Sequence, residues 1–186
     1  MTWVRLIEFA VALILVPAAL SKAVDVKGFT LAVRRFEILP SSLSRAVALG
    51  TIGAEIALAL LLITGLAQVQ ALVVATLLFA AFSAIAWVEV SRREADEPVA
   101  ECGCLGGVLR LRMSRGSATL NLFVSCLCVG AAMAVASGAG GDALSLSEAS
   151  LALLAVPLAC TYWLTHYALS VIATMEISMH RAGEIP

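Results

Sequence analysis

The sequence predicts an all-α membrane protein, a bundle of helices that crosses the bilayer several times. Of its 186 residues, 61% are apolar and only 13% are charged, and the mean hydropathy is +1.00. A soluble domain of this size needs many more charges on its surface, which excludes a soluble enzyme, a nucleic-acid-binding protein and a disordered chain. The apolar runs also lack the alternating segments of about 10 residues that membrane β-barrels show, so helices are left.

Five apolar segments are long enough to span a bilayer, since a spanning helix needs about 20 residues. They cover residues 3–24, 45–66, 71–90, 117–136 and 151–174. We expect a single transmembrane domain that contains all five spans. Apolar residues recur at helical spacing after the first span and predict an amphipathic helix in the membrane interface, at about residues 26–39. They are Phe29, Val33, Phe36 and Leu39.

The basic residues predict the topology. All Lys and Arg residues except Arg5 lie in residues 22–45, residues 91–116 or the C-terminal tail, three segments that five spans put on one side of the membrane. The positive-inside rule assigns that side to the cytoplasm. We therefore expect a multi-pass protein of the bacterial cytoplasmic membrane, with its N-terminus outside and the long polar segment 91–116 at the cytoplasmic face.

A Cys-Gly-Cys motif in this polar segment is the sharpest chemical feature. Gly103 lacks a Cβ, so it permits the tight turn that a disulfide between Cys102 and Cys104 requires. A ring this small is strained, and strained disulfides are easily reduced and exchanged. The motif therefore indicates a redox loop at residues 91–116 that exchanges thiols and disulfides. Two unrelated surface cysteines are one alternative, and a metal site is the other.

Three further cysteines, Cys126, Cys128 and Cys160, lie in predicted spans. Positions i and i+2 of a helix point about 200° apart, so Cys126 and Cys128 are poorly placed to bind one ion, and we predict no metal site. We expect all three to be buried as small apolar residues. The alternative is a relay that passes thiol exchange inward from the Cys-Gly-Cys motif.

Two ionisable residues are predicted inside the membrane, where such groups usually face the bundle interior. Glu55 lies in the middle of the second span. It is interpreted as a proton carrier for thiol chemistry, as a member of an ion pair or as a structural hydrogen-bonding group. Its candidate cationic partners are Lys22, Arg34 and Arg35. His166, in the fifth span, is interpreted as a hydrogen-bonded residue between helices.

Several short elements resemble the MauE/DoxX-like family of redox-associated membrane proteins. Residues Glu101–Gly106 read ECGCLG and are similar to the family's Cys-Gly-Cys-Phe-Gly signature, with Leu105 in place of Phe. Weaker matches occur in the same order along residues 5–136. They are Ala19–Lys22, Phe36–Pro40 and Gly53–Glu55. The fifth helix lies outside the part that resembles the family.

The resemblance implies a four-helix core of the vitamin K epoxide reductase and DsbB kind, with Cys102 and Cys104 as the redox pair. It also implies a thioredoxin-like partner of the MauD type and a disulfide-rich client, the methylamine dehydrogenase small subunit. The motifs themselves indicate no cofactor. A quinone is the cofactor that thiol-disulfide exchange in a membrane would allow. An exported client requires the cysteine pair to face outward, whereas the charge pattern places it inward.

We therefore interpret the chain as a membrane thiol-disulfide oxidoreductase or redox accessory protein, with the bilayer, a thioredoxin-like protein and a client as partners. Its supporting residues are Glu55, Lys22, Gly103 and Arg34. Two other functions stay open, and the sequence does not decide whether the protein is an enzyme. One is a non-catalytic scaffold that docks a maturation partner through the loop. The other is a small-molecule or metal transporter that uses Glu55 and His166.

Overall fold

The protein is all-α in a computed structural model, which describes residues 2–36, 40–92, 114–138 and 147–183. Its helices are α1 Thr2–Val24, α2 Val26–Arg35, α3 Ser44–Thr64, α4 Gln68–Arg92, α5 Arg115–Ala136 and α6 Glu148–Gly183. No strand occurs in those ranges, which confirms the predicted fold class. The motif residues Cys102, Gly103 and Cys104 lie outside the described residues.

Five of these helices are long and apolar enough to cross a membrane. The spanning segments are Trp3–Val24, Ser44–Thr64, Gln68–Arg92, Arg115–Ala136 and Ser150–Ile172. Large apolar side chains such as Leu60, Leu77 and Leu153 are 58%, 64% and 73% exposed. Such an apolar outer surface is stable where lipid, not water, surrounds the helices. The chain is therefore a multi-pass membrane protein.

Helix α1 lies at the centre of the bundle and packs against α3, α5 and α6. Its inward face is made of apolar residues that are nearly inaccessible, among them Ala12, Leu15 and Ala19. On the outer helices, buried and exposed positions alternate at helical spacing along each span. The central position of α1 means that the polar side chains it carries face other helices and not lipid.

Helices α4 and α5 form the most closely packed pair, and small residues line their contact. Ser83, Ala86, Ala118 and Ser125 take part in it, and Ala71, Ala75 and Ala131 are further buried small residues of the same two helices. The Ser83 hydroxyl donates to the Ala118 carbonyl at 2.8 Å, and the Ser125 hydroxyl donates to the Thr76 carbonyl at 3.0 Å. Small residues allow such close approach of two backbones in a membrane. The pairing puts the end of α4 and the start of α5 at the same end of the bundle, which we call the loop end.

The amphipathic helix α2 begins directly after α1. The Asp25 carboxylate accepts the Gly28 N–H at 2.9 Å and caps its first turn. On its inner face, Phe29 packs against Ala48 and Ile52 of α3. The helix ends at Arg35, earlier than the range 26–39 suggested, because the Phe36 N–H turns back to the Arg34 carbonyl. Residues 37–39 lie outside the described part of the chain.

The close packing of α4 on α5 predicts that an added side chain at their contact destabilises the fold. Ala131 is fully buried, so we expect Ala131→Leu to lower the free energy of unfolding by about 1–3 kcal/mol through overpacking. Unfolding in mixed detergent micelles measures it. The matched control is Ala136→Leu, since Ala136 is exposed on the same helix. Equal stability of the two variants would contradict the assigned contact.

Candidate functional site

A buried ion pair joins α1 to α3. The Lys22 ammonium donates a hydrogen bond to Glu55 Oε1. Lys22 is 1% exposed and Glu55 is 0% exposed, so neither charge contacts the surroundings of the bundle. Of the three candidate cations, Lys22 is therefore the partner of Glu55. Arg34 and Arg35 are exposed on α2.

Two aromatic rings complete the surroundings of the Lys22 ammonium. The Nζ atom lies 5.3 Å from the ring centroid of Phe29 on α2 and 5.2 Å from that of Phe82 on α4. An aromatic face attracts a cation at this distance, most strongly where water is excluded. Four helices thus meet at one ammonium group. Within the described part of the chain, Glu55 Oε2 has no hydrogen-bond partner.

A polar and aromatic cluster on α6 lies in the same half of the bundle. The Tyr162 hydroxyl donates to Asn121 Oδ1 of α5 at 2.7 Å. The Trp163 and Tyr162 rings meet edge to face, with their centroids 5.3 Å apart. The centroid of the His166 ring lies 6.0 Å from that of Tyr162 and 6.2 Å from that of Trp163.

His166 differs from the sequence expectation. It is 1% exposed, and neither ring nitrogen has a hydrogen-bond partner among the residues that the structure describes. Among the described residues, His166 has no hydrogen-bond partner on another helix, so the interpretation of His166 as a hydrogen-bonded residue between helices is wrong there. Its neighbours are aromatic rings, and the Tyr162 hydroxyl is directed to Asn121 instead. The indole N–H of Trp163 is likewise buried without an acceptor in the same ranges.

The α6 cluster and the ion pair both lie toward the loop end. Trp163 packs against Ala86 of α4 and Ala118 of α5. One turn beyond His166, Leu169 lies so close to Gly116 that an added Cβ would be 2.7 Å from the Leu169 Cδ2 atom. Gly116 lies in the first turn of α5, so the start of this helix lies directly beside the cluster. The loop end is therefore our candidate functional site.

The three cysteines of the spans divide between the core and the outer surface. Cys128 is buried, as expected, whereas Cys126 and Cys160 are exposed. The expectation of burial is thus wrong for Cys126 and Cys160, because an apolar side chain is equally stable against lipid. In the described ranges, no group of three or more His, Cys, Asp or Glu residues could hold a metal ion.

A second ion pair, which was not predicted from the sequence, lies at the opposite end of α1. Arg5 Nη1 donates to Glu8 Oε2 at 2.6 Å, and Glu8 is 0% exposed. Gln68, at the start of α4, also donates to Glu8 Oε2 at 3.4 Å. The signal was present in the sequence. Opposite charges three residues apart lie on one face of a helix and can pair there, even inside an apolar run.

Arg5 also caps the end of α3. Its guanidinium donates to the Leu62 and Ile63 carbonyls, at 3.1 Å each. These carbonyls lie in the last turn of α3, where a helix leaves its carbonyls without partners. Gly65 follows with a φ of 69°, a left-handed conformation that favours glycine and ends the helix. We call the Arg5–Glu8–Gln68 contacts, together with this cap, the outer latch.

Removal of one member of the Lys22–Glu55 pair is predicted to destabilise the bundle strongly. Lys22→Met or Glu55→Gln alone should lower the free energy of unfolding by about 3–5 kcal/mol, because the other group is left buried without its partner. The double variant should lose less than the sum of the two single losses. Unfolding of all four proteins in detergent micelles measures the coupling. Additive losses would show that the two groups do not interact.

Comparison with known proteins assigns the family. A family model described as "Methylamine utilisation protein MauE" matches residues 1–137. The methylamine utilization protein MauE of Paracoccus denitrificans is 35% identical to this chain over 145 residues, which cover 77% of this chain and 74% of the relative. No solved structure matches the chain.

The residues that match the family model include most of the contacts described above. Residues 1–137 include the outer latch, the Lys22–Glu55 pair, the Cys-Gly-Cys motif and the whole of α5. Helix α6 lies beyond the matched residues. The family model matches well over half of the chain, and a relative of the same name agrees along three quarters of it. The chain belongs to the MauE family.

Proposed function

We propose that this protein exchanges thiols and disulfides at the membrane during methylamine utilisation, with Cys102 and Cys104 as its redox pair. The Cys-Gly-Cys motif in the polar segment between α4 and α5 is the observation that carries the proposal. The family assignment and the name of the Paracoccus relative support the biological setting. The proposed partner is a thioredoxin-like protein of the MauD type, and the proposed client is a disulfide-rich protein of the methylamine dehydrogenase type.

The proposed reaction is a two-step exchange of sulfur partners. The thiolate of one motif cysteine attacks a sulfur of the partner's disulfide, whose other sulfur leaves as a thiolate. The second motif cysteine then attacks the mixed disulfide and releases the partner as a dithiol. Cys102 and Cys104 end as a disulfide, and two electrons have passed to the partner. The same steps in reverse oxidise the partner.

The loop end supplies a rigid base for such a reaction. The close α4–α5 contact holds the two attachment points of residues 93–113. The Lys22–Glu55 pair and the Phe29 and Phe82 rings hold α1, α2, α3 and α4 to one another at that end. Reactive groups on loops act best when a rigid scaffold positions the loop. Lys22 and Glu55 are therefore proposed as supporting residues, with Gly103 as the turn residue and Arg34 on the exposed surface.

Variants of the motif test the exchange. With Cys104→Ser or Cys102→Ser, the second step is blocked, so we expect one of the two single variants to accumulate a mixed disulfide with the thioredoxin-like partner. Non-reducing electrophoresis of membranes that contain both proteins detects the adduct, which a reductant should remove. The double variant should form none and should leave most client disulfides unmade.

The matched control is Cys126→Ser, since Cys126 is exposed on the outer surface of α5 and away from the core. It should exchange thiols as the unmodified protein does. Full maturation of the client by the Cys102→Ser/Cys104→Ser variant would refute the redox function. That result would favour a non-catalytic scaffold, because the chain would then act without either thiol.

The membrane side of the motif is a separate prediction. The positive-inside rule predicts that Cys102 and Cys104 face the cytoplasm of a bacterial cell. An impermeant maleimide should then label them in inverted membrane vesicles and not in intact cells, after reduction. The Cys102→Ser/Cys104→Ser variant measures the background from Cys126, Cys128 and Cys160. Labelling in intact cells would reverse the orientation and put the redox pair beside an exported client.

A further inference from the structure

One face of α2 combines cations with an exposed leucine. Lys27, Leu31 and Arg34 follow one another at spacings of four and three residues, which places them on one side of the helix. All three are exposed, as is the neighbouring Arg35, and Leu31 is 56% exposed. We call these four residues the cationic face of α2. The opposite face carries Phe29 and packs on α3.

Every exposed charged side chain that the structure describes at the loop end is positive. Six Lys and Arg side chains are exposed there, on four different helices. They are Lys27, Arg34, Arg35, Arg45, Arg92 and Arg115. None of the four carboxylates whose side chains are described is exposed: Glu8, Glu55 and Glu89 are buried, and the half-buried Asp25 caps α2. None of these four carboxylates is therefore available on the surface to neutralise the cationic face.

The position of α2 decides which anions this face meets. A single residue, Asp25, separates α2 from the spanning helix α1, and eight residues separate α2 from the spanning helix α3. The helix therefore lies at the boundary between the hydrocarbon core and the headgroups. At that depth, the stems of Lys and Arg lie along apolar surface while their charges reach the phosphates. Leu31 is placed to enter the acyl region between them.

We propose that the cationic face of α2 binds the headgroups of anionic phospholipids. The positive charge complements the lipid phosphates, and the exposed Leu31 fits a lipid surface better than the surface of a soluble acidic protein. Lipid binding to α2 also affects the buried Lys22–Glu55 pair. Phe29, on the opposite face of α2, lies 5.3 Å from the Lys22 ammonium. Anionic lipid on one side of α2 thus holds Phe29 against the ion pair on the other.

The test compares the retention of two lipids by the full-length protein. The chain is reconstituted in nanodiscs of phosphatidylcholine with phosphatidylglycerol, and the lipids that stay bound after mild detergent extraction are counted by native mass spectrometry. The unmodified protein should retain phosphatidylglycerol severalfold over phosphatidylcholine. The Lys27→Gln/Arg34→Gln/Arg35→Gln variant should lose most of that preference.

A variant that keeps the charges serves as the matched control. Lys27→Arg/Arg34→Lys/Arg35→Lys should retain phosphatidylglycerol as the unmodified protein does. The single variant Arg34→Gln, at an exposed position, gives a second reading that does not depend on the fold of the triple variant, and it should show a partial loss. Equal retention of both lipids by the unmodified protein would overturn the proposal. An unchanged preference in both Gln variants would also overturn it, because the lipid would then bind elsewhere than at the cationic face of α2.

Discussion

The architecture of the loop end depends on the requirement that a charge removed from water must have an opposite charge beside it. Inside the bundle, Lys22 and Glu55 meet that requirement for each other. An ammonium group without a carboxylate would be far too costly at 1% exposure. The pair therefore fixes the register of α1 against α3. Through the rings of Phe29 and Phe82 it also fixes the positions of α2 and α4.

The two ends of α1 are held by different means. At the loop end an ion pair joins two helices, while at the other end Arg5 binds its own helix neighbour Glu8 and the last carbonyls of α3. Between them, α1 contacts its neighbours through apolar side chains alone. Apolar contact gives little preference for one register in a bilayer, because lipid is as apolar as the helices. The polar contacts at the two ends supply the register that the middle lacks.

The same property of the bilayer explains which features the sequence could predict. Composition and run length predict the helical class, and the amphipathic pattern predicts α2, because both follow from local residue types. Lys22 could not be distinguished from Arg34 as the partner of Glu55, since that choice depends on where α2 turns after Asp25. Cys126 and Cys160 were expected inside because they are apolar, yet the exterior of a membrane protein is apolar too. His166 was expected to have a partner, and the adjacent hydroxyl of Tyr162 is bound to Asn121. The Cys-Gly-Cys motif is known only from the sequence, because residues 101–106 lie outside the described ranges.

Helix α6 lies beyond the residues that match the family model, yet it supplies a hydrogen-bond partner to one of those residues. The side chain of Asn121 belongs to α5, and its amide oxygen accepts a hydrogen bond from Tyr162 of α6. A bundle that ended after α5 would turn this amide toward hydrocarbon, where a polar group without a partner is unfavourable. Without α6, the first 137 residues would therefore lack the partner of Asn121. A shortened form of the chain would gain stability from a substitute for α6 on that side, either a helix from another subunit or an apolar residue in place of Asn121.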